Sequence, residues 1–186
     1  MTESTVSRNV RFLLWREGLL PGRWNQALRE RLGWGAIEVD DLLKGGAVGF
    51  SQLEQLADVF GRTEEDLSVE DLVIAEGTDV LHENLITLMR GLAHGRKKEL
   101  AERLGVGPNT VSRWLGGKHH PPADKLGSIA DFFGLSADLD LASAPLFLSL
   151  EPVSGMQRRE WLHQRVDALS VRELGELYPA LKRLLG

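Results

Sequence analysis

The chain has 186 residues, of which 42% are hydrophobic and 26% charged, with a net charge of −5 and no cysteine. That length admits one large or two small domains with real cores, and the balance is that of a soluble globular protein. The missing thiols exclude disulfides and thiolate metal sites and fit a reducing cytoplasm. The polar start "MTESTVSRNV" holds no apolar signal core, and the apolar run Leu141–Leu150 is too short for a bilayer and contains a proline, so a cytoplasmic protein away from membranes is expected.

Leu, Ala, Glu and Arg dominate, while alternating Val/Ile/Thr runs are nearly absent, so an all-α fold is expected. From Asn9, "NVRFLLWRE" reads as a helix. "LRERLGWGAIEVDDLLKGG", from Leu28 to Gly46, reads as helix, tight turn, helix, and "LEQLADVFG" from Leu53 as a further helix. The acidic stretch Arg62–Asp79 closes this unit. The same order then returns: "NLITLMRGL" from Asn84, "LAERLGVGPNTVSRWLGGK" from Leu100 and "LGSIADFFG" from Leu126.

A slide of 72 residues sets Leu28 on Leu100, Arg31 on Arg103, Leu32 on Leu104, Gly33 on Gly105, Gly35 on Gly107, Val39 on Val111 and Leu43 on Leu115. Such ordered identities point to an internal duplication. The expected domains are 8–76 and 80–141, followed by a connector over 142–155 whose apolar patch docks on the domain before it. Residues 156–186 complete the chain as a helical hairpin with a capping box at Ser170 and Glu173. Its apolar stripe includes Trp161, Leu177 and Leu181, and it must be buried somewhere; dimerisation is the favoured way.

The two copies differ in charge. From His82 to Lys125 there are eight bases against four acids, a balance of +4, whereas Arg8–Glu76 has eight bases against thirteen acids, a balance of −5. Local charge counts for more than the total, because salt screens beyond about 8 Å. Within the second copy, Leu100, Ala101 and Leu104 point inward, Gly105 turns the chain, and Val111, Trp114 and Leu115 anchor the following helix. Asn109, Thr110 and Arg113 are left facing outward, with Ser112 at the edge.

The run Glu99-Leu100-Ala101, Leu104-Gly105-Val106, Val111-Ser112, Trp114, Gly117-Lys118 and Pro122 resembles the XRE/Cro-type helix-turn-helix family, the small helical domains of phage repressors. The likeness is strong over about 82–141 and weaker over 9–67. It implies two tandem phage-repressor-like domains and a reading helix lying in the major groove of a double-stranded DNA operator. Carried over by position, Asn109, Thr110 and Arg113 read base edges, since Asn suits adenine and Arg suits guanine. Arg96, Lys97, Ser112, Lys118 and His119 hold phosphates. Lys97 stands where the family usually has glutamine, and Leu115 where it usually has glutamate, so base preferences do not transfer.

In the first copy the corresponding face carries Glu38, Asp40 and Asp41, whose charge opposes phosphate, beside Ile37 and Trp34. Those five residues are expected to contact protein, either another copy or a partner. No catalytic motif is present, so an enzyme is not expected, and no cofactor is called for. His119 and His120 are adjacent in a loop and lack the helical spacing of a metal pair, so no metal is expected. The expected function is a transcriptional regulator, a repressor acting as a homodimer. Two alternatives are the antitoxin of a toxin–antitoxin pair, with the first domain gripping a basic toxin, and an adaptor that reads no DNA.

Overall fold

A computed structural model describes residues 4–90, 95–136 and 138–185. The chain is all-α, with 68% helix and no strand among the described residues. None of its described helices is long and apolar enough to cross a membrane. Contacts divide the chain into one unit reaching Thr87 and including Asp140–Glu151, and another made of Leu88–Leu139 and the residues from Pro152 onward.

The first unit is built around α1 (Thr5–Arg16). Val10, Phe12, Leu13 and Leu14 are buried on it together with Ser7, Asn9 and Arg11, so it is covered nearly all round, as a central helix must be. Around it pack α2 (Pro21–Leu32), α3 (Ala36–Leu43), α5 (Glu64–Ser68) and α6 (Leu72–Ala75), while α4 (Phe50–Phe60) rests on α2 and α5. Proline opens α2, where its missing N–H has no partner to lose. Gly33 closes it at φ 71°, a left-handed conformation that glycine adopts without steric cost. Trp24, Leu28, Val39, Leu56 and Leu67 then fill the core, and the Trp24 indole N–H donates to the Leu19 carbonyl at 3.0 Å.

Each polar side chain that α1 buries finds a backbone partner. Ser7 Oγ donates to the Leu43 carbonyl at 3.0 Å, and Arg11 Nη1 donates to the Leu148 carbonyl at 3.1 Å. Burial pushes the Arg11 pKa below the ordinary arginine value. Asn9 Nδ2 donates to the carbonyls of Asp66, Leu67 and Glu70 at 3.2, 3.0 and 2.6 Å, while its Oδ1 accepts from the Leu72 N–H at 3.1 Å. One side chain thereby ties the central helix to the α5–α6 exit.

The apolar patch of the expected connector over 142–155 packs into the core of the first unit. Phe147 and Leu148, in a 3-10 turn over Leu146–Leu148, are buried in the first unit's core, with the Phe147 ring centroid 4.5 Å from that of Trp15. The tight turn aims two successive large side chains inward, and the aromatic end of α1 receives them. This places Asp140–Glu151 with the first unit.

The division falls within α7 (Val80–Met89), where Leu81, Asn84, Leu85 and Leu88 form one buried stripe. Asn84 repeats the Asn9 arrangement. Its Nδ2 donates to the Leu141 and Ala144 carbonyls at 2.8 and 2.7 Å, and its Oδ1 accepts from the Leu146 N–H at 2.8 Å.

In the second unit α8 (Arg96–Leu104) packs on α9 (Pro108–Leu115) and α10 (Ala123–Phe133). Leu100, Leu104, Val111, Trp114, Ile129 and Phe133 are buried, and Ala101, fully buried on α8, keeps the helix surface small. Beyond lie α11 (Gly155–Asp167) and α12 (Val171–Leu185). The capping box forms: the Ser170 N–H donates to Glu173 at 2.9 Å, and the Glu173 N–H donates back to Ser170 Oγ at 3.3 Å. The Ser170 hydroxyl, donating to Glu173 Oε2 at 2.6 Å, and then the Ser170 N–H hold the Glu173 carboxyl below its ordinary pKa. In a single chain the apolar stripe is open along α12, with Leu174 37%, Leu177 47% and Leu184 81% exposed.

Candidate nucleic-acid interface

The turn between α8 and α9 is made by backbone geometry. Gly105 ends α8 at φ 66°, and the N–H of Val106 donates to the Ala101 carbonyl at 2.9 Å. Gly107 caps α9 and Pro108 occupies its first position. Val111 and Trp114, at 1% and 5% exposure, fix the inward face, and helical spacing then determines what points away.

Asn109, Ser112 and Arg113 are exposed on α9, whereas Thr110, expected outward with them, is half-buried. It stands one residue before Val111, at the edge of the face that packs inward. Past the helix, Lys118 and His119 are exposed. The side chains of Asn109, Arg113, Lys118 and His119 form no hydrogen bond or ion pair among the described residues, so their donors point to solvent.

The expected phosphate-holding residues behave less uniformly. Lys97 is exposed on α8, and its Nζ donates to Ser112 Oγ at 3.3 Å, which itself donates to the Pro108 carbonyl at 3.0 Å. Two residues assigned to phosphate thus meet across the helix-turn-helix, a link with no signal in the sequence. Arg96 is half-buried and pairs with Glu99 at 2.5 Å, leaving less of its charge for an outside anion. Neighbouring Lys98 was not singled out in the sequence; it is exposed and 3.7 Å from Glu102.

The first unit presents a contrasting face. On α3, Ile37 is 80% exposed, Glu38 and Asp41 are exposed, and Asp40 is half-buried and pairs with Lys44 at 2.6 Å. Trp34 is not an exposed ring: it is half-buried, and its indole N–H donates to Gln55 Oε1 at 2.7 Å. Trp34, Ile37, Glu38 and Asp41 nevertheless line one cleft of about 440 Å³. In the C-terminal region, Trp161 is 48% and Leu177 47% exposed and Leu181 is half-buried, with the Arg165 guanidinium 5.5 Å from the Trp161 ring centroid.

Residues 88–139 match the family model for helix-turn-helix domains. Over 44 residues the chain is 43% identical to the 26 kDa repressor protein of Escherichia phage HK022. The matched stretch covers 24% of this chain and 19% of that repressor, so the chain spans about a fifth of the length of the repressor it matches. No solved structure matches the chain.

Proposed function

We propose that the protein is a sequence-specific double-stranded DNA-binding transcriptional regulator, a repressor, whose α9 reads the major groove. The observation that carries this reading is the pairing of Asn109 and Arg113, exposed and without side-chain partners among the described residues, on a helix whose opposite face is locked by Val111 and Trp114. Both side chains can bond two groove atoms in one plane, and a rigid helix delivers them together. Thr110 stands beside them at the edge of the base-reading face. Lys97, Ser112, Lys118 and His119 flank that face and suit phosphate contacts, with Arg96 set further back.

The first helix-turn-helix, on this reading, is a diverged copy that serves protein contacts. Support comes from α3 and α9, each eight residues long, and from the left-handed glycines Gly33 and Gly105 before them. The paired buried asparagines, Asn9 and Asn84, add to it. The protein acts as a homodimer through its C-terminal helices. Leu174, Leu177, Leu181 and Leu184 recur at three- and four-residue steps, a seam that a second copy can match, and an isolated helix of 15 residues is marginal in water. A dimer sets two reading helices on half-sites about 34 Å apart or a multiple of that.

Selection from a random DNA library with the full chain tests the reading. A palindromic site is expected, and Asn109→Ala with Arg113→Ala should lower its affinity by about 100-fold or more. If the double variant, folded by circular dichroism, still selects the same site, α9 is not the reading helix. Leu177→Asp should convert a dimer to a monomer in light scattering; an unchanged mass places the interface elsewhere.

A further inference from the structure

The cleft on α3 is more than a missing DNA contact. Leu42 is buried at its base, Trp34 and Val48 are half-buried in its wall, and Ile37 stands 80% exposed at its rim. Glu38 and Asp41, one turn apart, supply all the formal charge of its lining, and no Lys or Arg lines it. The mouth is ordered before anything binds. Gln52 Nε2 donates to Glu38 Oε1 at 2.6 Å, while Gln52 Oε1 accepts from the Gly49 N–H at 2.8 Å. The Asp41 carboxylate forms no hydrogen bond or ion pair among the described residues, though it adds to the hydrogen bond and charge of Asp40 in raising the pKa of nearby Lys44.

An open cleft of about 440 Å³ with a mixed apolar and polar lining has room for one large side chain, and its two carboxylates select what accompanies that side chain. Like charge excludes nucleic acid and acidic peptides. We infer that this cleft docks a basic amphipathic segment of a partner protein: one large aliphatic or aromatic side chain seated against Ile37, Leu42 and Val48, with Lys or Arg within a helical turn paired to Asp41 and Glu38. The inference rests on the reading that the first helix-turn-helix does not contact DNA.

The test is selection of a displayed random 12-residue peptide library on the full chain, with counter-selection on the Glu38→Gln/Asp41→Asn variant. Enriched peptides should place Lys or Arg around one large apolar residue. Their synthetic versions should bind at least about tenfold more weakly to that variant, and about tenfold more weakly to Ile37→Ala, and should release as salt rises. Both variants alter exposed side chains, and a thermal melt checks that they fold. Enrichment of acidic or uncharged peptides overturns the inference. So does a basic peptide indifferent to both variants, or no enrichment at all. Operator affinity of Glu38→Gln/Asp41→Asn is measured in parallel. A fall there refutes the underlying reading that α3 avoids DNA, whatever the peptides do; an unchanged value with no peptide refutes only the docking proposal.

Discussion

Compare α2–α3–α4 with α8–α9–α10. α3 and α9 are both eight residues long, and α4 and α10 are both eleven. The same left-handed glycine precedes each second helix, and Val39 and Val111 are both buried. The outward faces nevertheless differ in sign: Glu38 and Asp41 on one, Asn109 and Arg113 on the other. Frame and chemistry are therefore separable. The frame is set by buried positions and caps, which tolerate little, while exposed helix positions change at small cost in stability. Function has to be read from the face, since the two regions share helix lengths and turn glycines while their faces differ.

The likeness of the frames can be broken most severely at its buried polar residues. Asn9→Ala leaves the carbonyls of Asp66, Leu67 and Glu70 and the N–H of Leu72 without their side-chain partner, and Asn84→Ala does the same to Leu141, Ala144 and Leu146. An unsatisfied buried group costs about 1–3 kcal/mol, and because several of these bonds are only part-buried each variant should lose about 3 kcal/mol in denaturant unfolding. Equal losses would show that both asparagines do the same work. A loss under about 0.5 kcal/mol at either one would mean that water replaces the amide there, and the parallel would fail.

Much of this comparison was legible before any coordinates. The offset of 72, the turn glycines and the inward Val111 and Trp114 follow from spacing, and the capping box at Ser170 and Glu173 from residue type. The asparagines were not. A buried Asn inside an apolar helix has the same local pattern as an exposed one, and its partners lie 57 to 63 residues away. Phe147 and Leu148 escaped for a similar reason: composition shows an apolar patch but not which core will take it. Half-burial of Thr110 and Trp34 is a matter of packing at the edge of a face, where periodicity changes gradually. The open stripe of α12 was legible as a stripe, whereas its exposure depends on what else the chain offers to cover it.

A smaller effect sharpens the contrast in charge. Lys97 is exposed and reaches Ser112 at 3.3 Å, so a phosphate near α9 could be held by both. Lys97→Ala should weaken binding to every DNA sequence by a similar factor and reduce the slope of log K against log salt by about 1. In the first frame the equivalent position carries the uncharged Asn25, whose Nδ2 donates to the Ala36 carbonyl at 3.1 Å. A change in sequence preference with an unaltered salt slope would instead make Lys97 a base reader, and the division of labour between α8 and α9 would have to be redrawn.

The smallest effect is expected where the frames differ most. Asp40→Ala with Asp41→Ala removes two carboxylates from α3 and should leave operator affinity within about twofold, because a face that does not touch DNA contributes only long-range repulsion, screened at about 8 Å. Stability should move by less than about 0.5 kcal/mol, since the Asp40–Lys44 pair is well hydrated and Asp41 forms no hydrogen bond or ion pair among the described residues. The informative measurement is operator affinity at low and high salt. A modest gain at low salt that vanishes at high salt is the signature of relieved repulsion at a distance. A loss of tenfold or more at both would place α3 in the groove after all, with an acid accepting from a cytosine amine. The protein would then have two readers of opposite charge, and the sign of a helix face would no longer distinguish a reader from its copy.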